Sequence, residues 1–179
     1  MPRTKTISSG VALTVVFALT MSAGWAMQKG KPEKGKAKVE LPAAVAKAVK
    51  DNRPNAMIDK LEVEKEDGVT LYDIEFKAGK GEIEVAEDGS VIDIATIVKS
   101  RDVPKAALAA IHKGAVGATI KQLEKSEVRA EVKDGKVVKF ASPKYIYEAE
   151  LAKGNKRAEI QVAPDGQVIE APNWKTPAK

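Results

Sequence analysis

Apolar residues recur at helical spacing in two separate stretches of the chain. In both stretches they occupy positions i, i+4, i+7 and i+8, and a proline follows the first of them: Leu41, Val45, Ala48 and Val49, then Val103, Ala107, Ala110 and Ile111. This spacing places apolar side chains on one face of a helix. Proline is tolerated in the first turn, where its missing N–H would have no helical partner. The pattern predicts two amphipathic helices.

After each helix the period changes to strict alternation, which is typical of strands with one apolar face. Apolar residues alternate with charged or polar ones in residues 61–64, 72–76 and 83–85 of the first half, and in 147–151 and 158–162 of the second. Asp-Gly pairs at 67–68, 88–89, 134–135 and 165–166 fall between or beside these runs. Such pairs favour tight hairpin turns, so antiparallel strands are expected.

The two halves repeat one another, most clearly in EIEVAEDGSVI (82–92) and EIQVAPDGQVI (159–169). The repetition predicts an α+β fold of two tandem repeats, 41–98 and 101–171, followed by a C-terminal tail, 172–179. Each repeat is expected to pack one helix on an antiparallel sheet of about four strands. A swapped arrangement, in which each helix covers the sheet of the other repeat, has the same pattern.

The second repeat is longer than the first in its strand region. Leu123 and Tyr147 are separated by thirteen more residues than the corresponding Leu61 and Tyr72. The added segment alternates and contains its own Asp-Gly pair, so it predicts longer strands, with or without an extra hairpin. Pro143 is expected to interrupt the ladder, since proline lacks the N–H that a paired strand needs.

The N-terminal residues have the pattern of a secretory signal peptide. Arg3 and Lys5 precede a short apolar run, and small residues follow it around Gly24 and Ala26. We expect cleavage after Ala26 and an exported, periplasmic or extracellular protein without stable membrane insertion. An uncleaved membrane anchor is the alternative, although the run is shorter than the roughly 20 residues that span a bilayer.

Residues 27–40 form a lysine-rich segment without apolar periodicity. Such a segment buries too little surface to order itself, so we interpret it as a flexible leader. It is either a solvated spacer or a tether to an anionic envelope surface. The chain has a net charge of +5 and contains no cysteine, so disulfides are excluded and a core of Val, Ile, Leu and Ala must hold the fold together.

The paired motifs resemble a known family. The LPAAVAKAV and VPKAALAAI helices, the TLYDIEF and YIYEAEL strands and the two Asp-Gly hairpins are similar to the PepSY-like, beta-lactamase-inhibitor-like family of exported bacterial proteins. The resemblance covers residues from about 41 to 170. It implies an α+β repeat protein of the cell envelope that binds, and inhibits or regulates, a peptidase or another envelope protein. The inhibitory loop residues of related inhibitors have no counterpart here.

Acidic residues are concentrated in the first repeat. Residues 58–94 contain twelve acids and four lysines. Strand alternation places many of the acids on one outward sheet face, with a smaller set in the second repeat; the candidate binding residues are Glu62, Glu64, Asp73, Glu75, Glu82, Glu84, Glu148 and Glu150. Arg129 is expected among the acids of the second repeat. Such a face is either merely solvated, or docks a basic protein surface, or binds a divalent cation through oxygen ligands.

Other chemistry has little support in the sequence. His112 is the only histidine and is expected on the surface near the end of the second helix. Without cysteine, a histidine triad or a glycine-rich phosphate loop, no catalytic or cofactor apparatus is visible. Basic residues lack interleaved aromatics, which argues against nucleic-acid binding. The sequence thus predicts a non-catalytic binding module, with cation or small-ligand binding as the alternative.

Overall fold

The computed structural model describes residues 40–176, which contain two α-helices, one short 3-10 helix and eight strands. The elements are α1 (Ala43–Asn52), β1 (Ile58–Glu66), β2 (Val69–Phe76), β3 (Glu82–Ala86), β4 (Val91–Ile97), the 3-10 helix (Ser100–Asp102), α2 (Lys105–Gly114), β5 (Thr119–Lys133), β6 (Lys136–Lys153), β7 (Lys156–Val162) and β8 (Val168–Glu170). The α+β class expected from the sequence is confirmed. The predicted signal peptide, 1–26, and nearly all of the lysine-rich leader lie outside the described residues.

All eight strands form a single antiparallel sheet in chain order, β1 to β8. The prediction of a separate four-stranded sheet in each half was therefore wrong on this point. Strands β4 and β5 join the two halves of the sheet through three residue pairs. The pair of Ala95 and Ser126 forms one end of this short ladder. The alternation of apolar and polar residues does not reveal a ladder this short, so nothing in the sequence indicates that the two halves share one sheet.

Both helices pack on the same face of the sheet, each on the strands that follow it. Val45, Ala48 and Val49 of α1 contact a core that includes Tyr72, Ile74 and Phe76 of β2, and Val103, Ala107 and Ile111 beside or in α2 contact one that includes Tyr147, Ala149 and Leu151 of β6. These are the apolar positions that the two periods predict. Burial of the Val, Ile, Leu and Phe side chains among them contributes about 1.5–3 kcal/mol each. The swapped arrangement of helices is not the one observed.

The expected Asp-Gly turns are confirmed, and two of them explain the repeated phrase. Gly89 and Gly166 both have positive φ, 85° and 88°. A Cβ on Gly89 would lie 3.0 Å from the carbonyl oxygen of Ala44, and one on Gly166 would lie 2.8 Å from that of Ala106. Each turn thus abuts the first turn of the helix in its own half, where only glycine fits both the backbone conformation and the space.

The added residues of the second half lengthen β5 and β6 to 15 and 18 residues, without an extra hairpin. We call residues 127–145 the hairpin arm. Its ladder is interrupted between the pairs Val128–Lys144 and Ala130–Lys139, so Pro143 lies in an unpaired bulge as expected. Beyond the bulge, Ala130 packs on Leu71, Ala86 and Ile92, which lie on the face of the sheet that the helices leave bare.

The C-terminal segment continues along the sheet. Lys175 exchanges two backbone hydrogen bonds of 2.8 Å with Arg157 of β7, and Trp174 packs against the core beneath α2. Among residues 40–176 no helix has the length and apolar character needed to cross a bilayer.

Candidate functional site: the acid-rich face of the sheet

The sheet face opposite the helices carries the eight acids predicted from the sequence. The register places Glu62, Asp73 and Glu84 in one row across β1, β2 and β3, and Glu75 beside Glu82 in the next. Glu148 and Glu150 lie on the same face of β6, opposite Gln161 and Glu159 of β7. We call this surface the acid-rich face. Alternation predicted these eight acids on outward faces of two separate sheets, whereas they lie on one face of a single sheet.

Asp93, Glu124 and Glu159 belong to the same face and were not among the predicted site residues. Asp93 pairs with Glu84, and Glu124 pairs with Glu148; Glu159 pairs with Glu150. Asp93 sits in the run VIDIATI, whose mostly apolar character hides the alternation. The pairing of Glu84 with Asp93 depends on a register shift in the β3–β4 ladder, and such a shift has no clear signal in the sequence.

The acids differ in exposure and in access to positive charge. Glu64 and Glu75 are exposed, whereas Glu82, Glu84 and Glu148 are half-buried and Asp93 is only 8% exposed. Cations contact only the acids nearer the two edges: Lys60 Nζ lies 2.9 Å from Glu62 Oε1, and Arg157 Nε lies 3.8 Å from Glu150 Oε1. Within the described residues no ion pair reaches the central carboxylates, those of Glu82, Glu84, Asp93, Glu124 and Glu148.

Burial and crowding of like charges raise the pKa of these central groups, because both disfavour the ionised form. Burial, followed by the charge of Asp73, raises the pKa of Glu82 to about 9 and that of Glu84 to about 8. Burial, followed by the charge of Glu159, raises the pKa of Glu148 to about 8. The pKa of Asp93 rises to about 6, chiefly through burial. Glu82, Glu84 and Glu148 therefore keep their protons at neutral pH, whereas Asp93 is mostly ionised.

Two carboxyl oxygens on this face lack a hydrogen-bond partner within the described chain: Glu82 Oε1 and Asp93 Oδ1, both buried. Glu148 Oε2, in contrast, accepts a hydrogen bond of 2.9 Å from Gln161 Nε2, and Glu124 Oε1 accepts one of 2.6 Å from Gln122 Nε2. A buried polar atom left without a partner costs about 1–3 kcal/mol. The acid-rich face thus contains hydrogen-bond acceptors that have no donor among the described residues.

The acids are not arranged as a metal centre. In the part of the chain that the structure describes, no three carboxylate or histidine side chains are grouped so that they could hold a metal ion. The acids lie side by side along neighbouring strands, which raises their pKa. Their oxygens do not point towards one common position, as metal ligands would. The cation alternative gains no support from this geometry.

One end of the acid-rich face is closed by the hairpin arm. Val132 and Val137 are partly buried against the apolar patch of Leu71, Ala86 and Ile92. At the tip of the arm, a Cβ on Gly135 would lie 3.2 Å from the carbonyl oxygen of Asp67, in the β1–β2 turn. The arm therefore forms a wall beside the rows of acids, and the face has an apolar end and an acidic centre.

Two other candidates from the sequence lie away from this face. Arg129 is not among the acids of β6 and β7: its Nη1 donates a 2.8 Å hydrogen bond to Asn52 Oδ1 of α1, on the helix side of the sheet. The prediction implied core positions beneath a helix for Ala130 and Val132, but both pack on the apolar patch on the acid-rich side of the sheet, so Arg129 lies on the helix side. His112 is exposed in the last turn of α2, as expected.

Solved structures with a similar fold come from Bacteroides. A Bacteroides eggerthii protein with the provisional description of a periplasmic protein is 14% identical, with a TM-score of 0.53 over 76% of this chain and 91% of that one. A DUF2874 family protein of Bacteroides uniformis is 16% identical, with a TM-score of 0.49 over 73% and 87%. A BLIP-like protein of Bacteroides fragilis is 14% identical, with a TM-score of 0.46 over 76% and 87%.

At these identities the similarity concerns the fold, and the Bacteroides eggerthii protein supports it most clearly. No protein-family model and no curated protein sequence matches the chain. Membership of the PepSY-like, beta-lactamase-inhibitor-like family stays a prediction.

Proposed function

We propose that this protein is an exported, non-catalytic binding module whose acid-rich face receives a basic segment of another envelope protein. The observation that carries the proposal is the set of central carboxylates, which lie on a bare sheet face without a cation partner among residues 40–176. A lysine or arginine from a partner would favour the ionised form of these carboxyls, so that they release their protons on binding, and would supply the missing hydrogen-bond donors. Charge-assisted hydrogen bonds of this kind are stronger than neutral ones.

The shape of the face supports a protein partner over a small ion. Its acids extend across strands β1 to β7, so they match an extended surface with several basic groups. Val132 and Val137 of the hairpin arm are partly exposed and offer apolar surface against which a partner's apolar side chains can pack. Protein interfaces combine an apolar part with polar groups in this way. The hairpin loops at the same end would add contacts with the partner. The partner would be inhibited or regulated because the bound part of its surface is covered.

The proposal includes export and a duplicated architecture. Export rests on the signal-peptide pattern of residues 1–26 and is in keeping with the provisional periplasmic description of the Bacteroides eggerthii protein of similar fold. Duplication rests on the repeated sequence and on the matching contacts of Gly89 with Ala44 and of Gly166 with Ala106. PepSY-like membership would account for both features.

Capture from envelope extract of the source cells tests the proposal. Immobilised wild-type protein is compared with a Glu82→Gln/Glu148→Gln variant and with a Glu40→Gln/Glu87→Gln control, whose two acids are exposed and lie outside the strands of the acid-rich face. We expect one partner to be captured by wild type and control, released by added salt because charge attraction is screened, and lost in the first variant. Equal capture by all three proteins would contradict recognition by the central carboxylates.

A further inference from the structure

A cleft on the helix side of the sheet gathers positive charge where the two halves meet. It encloses about 220 Å³ between the C-terminal end of α1, the end of β4 and the middle of β5. The residues that matter for its chemistry are Asn52, Arg53, Thr96, Lys125, Glu127 and Arg129. We call this the cationic cleft. Three cations face one carboxylate there, which is the reverse of the charge on the acid-rich face.

The two arginines are held in place by protein groups, and only one of those groups is charged. Arg53 Nη2 donates hydrogen bonds of 2.8 Å to the carbonyl oxygen of Ala95 and 2.7 Å to Thr96 Oγ1. Arg129 Nη1 donates to Asn52 Oδ1 at 2.8 Å, and its Nε donates to Glu127 Oε1 at the same distance. Glu127 thus compensates Arg129. Within residues 40–176, the acceptors to which Arg53 donates are neutral.

Arg53 is incompletely satisfied in this setting. Its Nε is buried and has no hydrogen-bond partner in the described part of the chain. Burial, followed by the neighbouring charge of Arg129, lowers the pKa of Arg53. A partly buried guanidinium that lies near a second guanidinium and lacks one acceptor is a binding group for an anion, since an oxyanion would supply both the acceptor and a compensating negative charge.

Lys125 adds a third cation at the mouth of the cleft. Its Nζ lies 4.2 Å from the centre of the Tyr145 ring, a cation–π contact that leaves its hydrogen-bond donors available. Among the described residues it forms no ion pair. Because the register pairs Lys125 with Thr96, it lies beside the group that holds Arg53. The cleft therefore presents one lysine and two arginines to a common volume.

We propose that the cationic cleft binds a small organic molecule through a carboxylate or phosphate group, with Arg53, Lys125 and Arg129 as its ligands. The two kinds of oxyanion share the chemistry that these side chains recognise: several oxygen acceptors and negative charge. The volume exceeds that of a single water or ion, about 30 Å³ for a water in the liquid, and leaves room for a few carbon atoms beside Ile94. This site is independent of the acid-rich face, because it lies on the other side of the sheet.

Binding is tested by titrating the purified protein with citrate, phosphate and chloride at matched ionic strength. Two-dimensional ¹H–¹⁵N spectra report the Arg53 Nε–H, which has no described protein partner, and calorimetry reports the affinity. We expect citrate or phosphate, but not chloride, to shift the Arg53 Nε–H resonance and to raise the melting temperature. A preference for citrate identifies a carboxylate ligand, and a preference for phosphate identifies a phosphate ester.

Two matched substitutions separate a binding cleft from a merely structural one. Lys125→Gln removes a cation that contacts only the Tyr145 ring, so the fold should persist, and we expect oxyanion affinity to fall about tenfold. Lys121→Gln removes an exposed lysine of the same strand and should leave the affinity unchanged. Equal affinity in both variants, or no difference between the oxyanions and chloride in wild-type protein, would overturn the proposal and leave Arg53 and Arg129 as ties between α1 and the sheet.

Discussion

Replacing Glu82 by glutamine removes one carboxyl from the centre of the acid-rich face while keeping its size and shape. Glu82 is half-buried between Glu75 and Ala95 on the neighbouring strands, and its Oε1 has no hydrogen-bond partner within the described chain. Its pKa rises from 4.5 to about 9, mainly because of burial and then because of Asp73. Glutamine is neutral at every pH. The substitution therefore removes the loss of folding stability that comes from the raised pKa of Glu82.

The size of the effect follows from proton linkage. At about pH 7 the folded protein keeps Glu82 protonated, whereas the unfolded chain, with a pKa of 4.5, releases the proton. Release favours the unfolded state by about 1.4 kcal/mol for each pH unit above that pKa, or about 3 kcal/mol at about pH 7 and about 1 kcal/mol at about pH 5. This is an upper limit because water can reach a half-buried group. We expect Glu82→Gln to stabilise the protein by about 1–3 kcal/mol at about pH 7 and by under about 1 kcal/mol at about pH 5.

Urea unfolding followed by far-ultraviolet circular dichroism measures this difference at the two pH values. Glu64→Gln is the matched control, since Glu64 lies exposed on the same face, and its effect should stay under about 0.5 kcal/mol at both. Wild-type stability should itself fall as the pH rises from about 5 to 9, because the raised pKa values of Glu82, Glu84 and Glu148 mean that the folded state binds more protons. A Glu82→Gln effect that is equal at both pH values, or destabilising at the higher one, would refute this reasoning.

Three further predictions concern the core, a glycine and calcium. Leu151→Ala, at a fully buried position, should lower the unfolding free energy by about 2–5 kcal/mol, and the same measurement on Val63→Ala, where Val63 is 49% exposed, should give a much smaller loss. Gly81→Ala should destabilise the protein by at least about 1 kcal/mol more than Gly68→Ala. Both glycines have positive φ, but only at Gly81 would a Cβ meet a backbone atom, the Ala95 oxygen at 2.1 Å. Equal losses in the two variants would contradict the packing argument. Calcium at matched ionic strength should leave the melting temperature unchanged, and a rise that disappears in Glu82→Gln would instead favour the cation alternative.

Features set by local pattern could be predicted from the sequence. Spacing alone identified the buried positions of both helices, and alternation identified Tyr72, Ile74 and Phe76 as core residues. The Asp-Gly pairs identified the turns because few residues other than glycine adopt positive φ readily. Val63 departs from this rule: it alternates like its neighbours, but it lies on the edge strand β1 beyond the residues that pack against α1, so it stays exposed.

Features set by long-range pairing could not be predicted. The joining of the halves depends on three pairs between β4 and β5, and residues such as Ala95 and Ser126 have no side-chain chemistry that marks them as partners. The cationic cleft depends on this junction, because Arg53 and Arg129 are far apart in sequence and meet only when α1 lies beside β5. The apolar patch beneath the hairpin arm is another cause, since alternation in β5 shows that Ala130 and Val132 share a face but not that this face is the one opposite the helices.

The charged groups on the two faces of the sheet near the β4–β5 junction indicate which face carries a cost to stability that the fold does not compensate. Burial raises the pKa of Asp93 to about 6, and the charge of Arg53 acts against that rise from across the sheet; in turn, Asp93 opposes the lowering of the pKa of Arg53. These two groups therefore compensate each other in part. The largest influences on the pKa of Glu82 and Glu84 among the described residues are burial and other acids. A cost to stability with no compensation inside the described fold is typical of a surface adapted to something outside it, and this is why the acid-rich face, rather than the junction, supports the proposed protein partner.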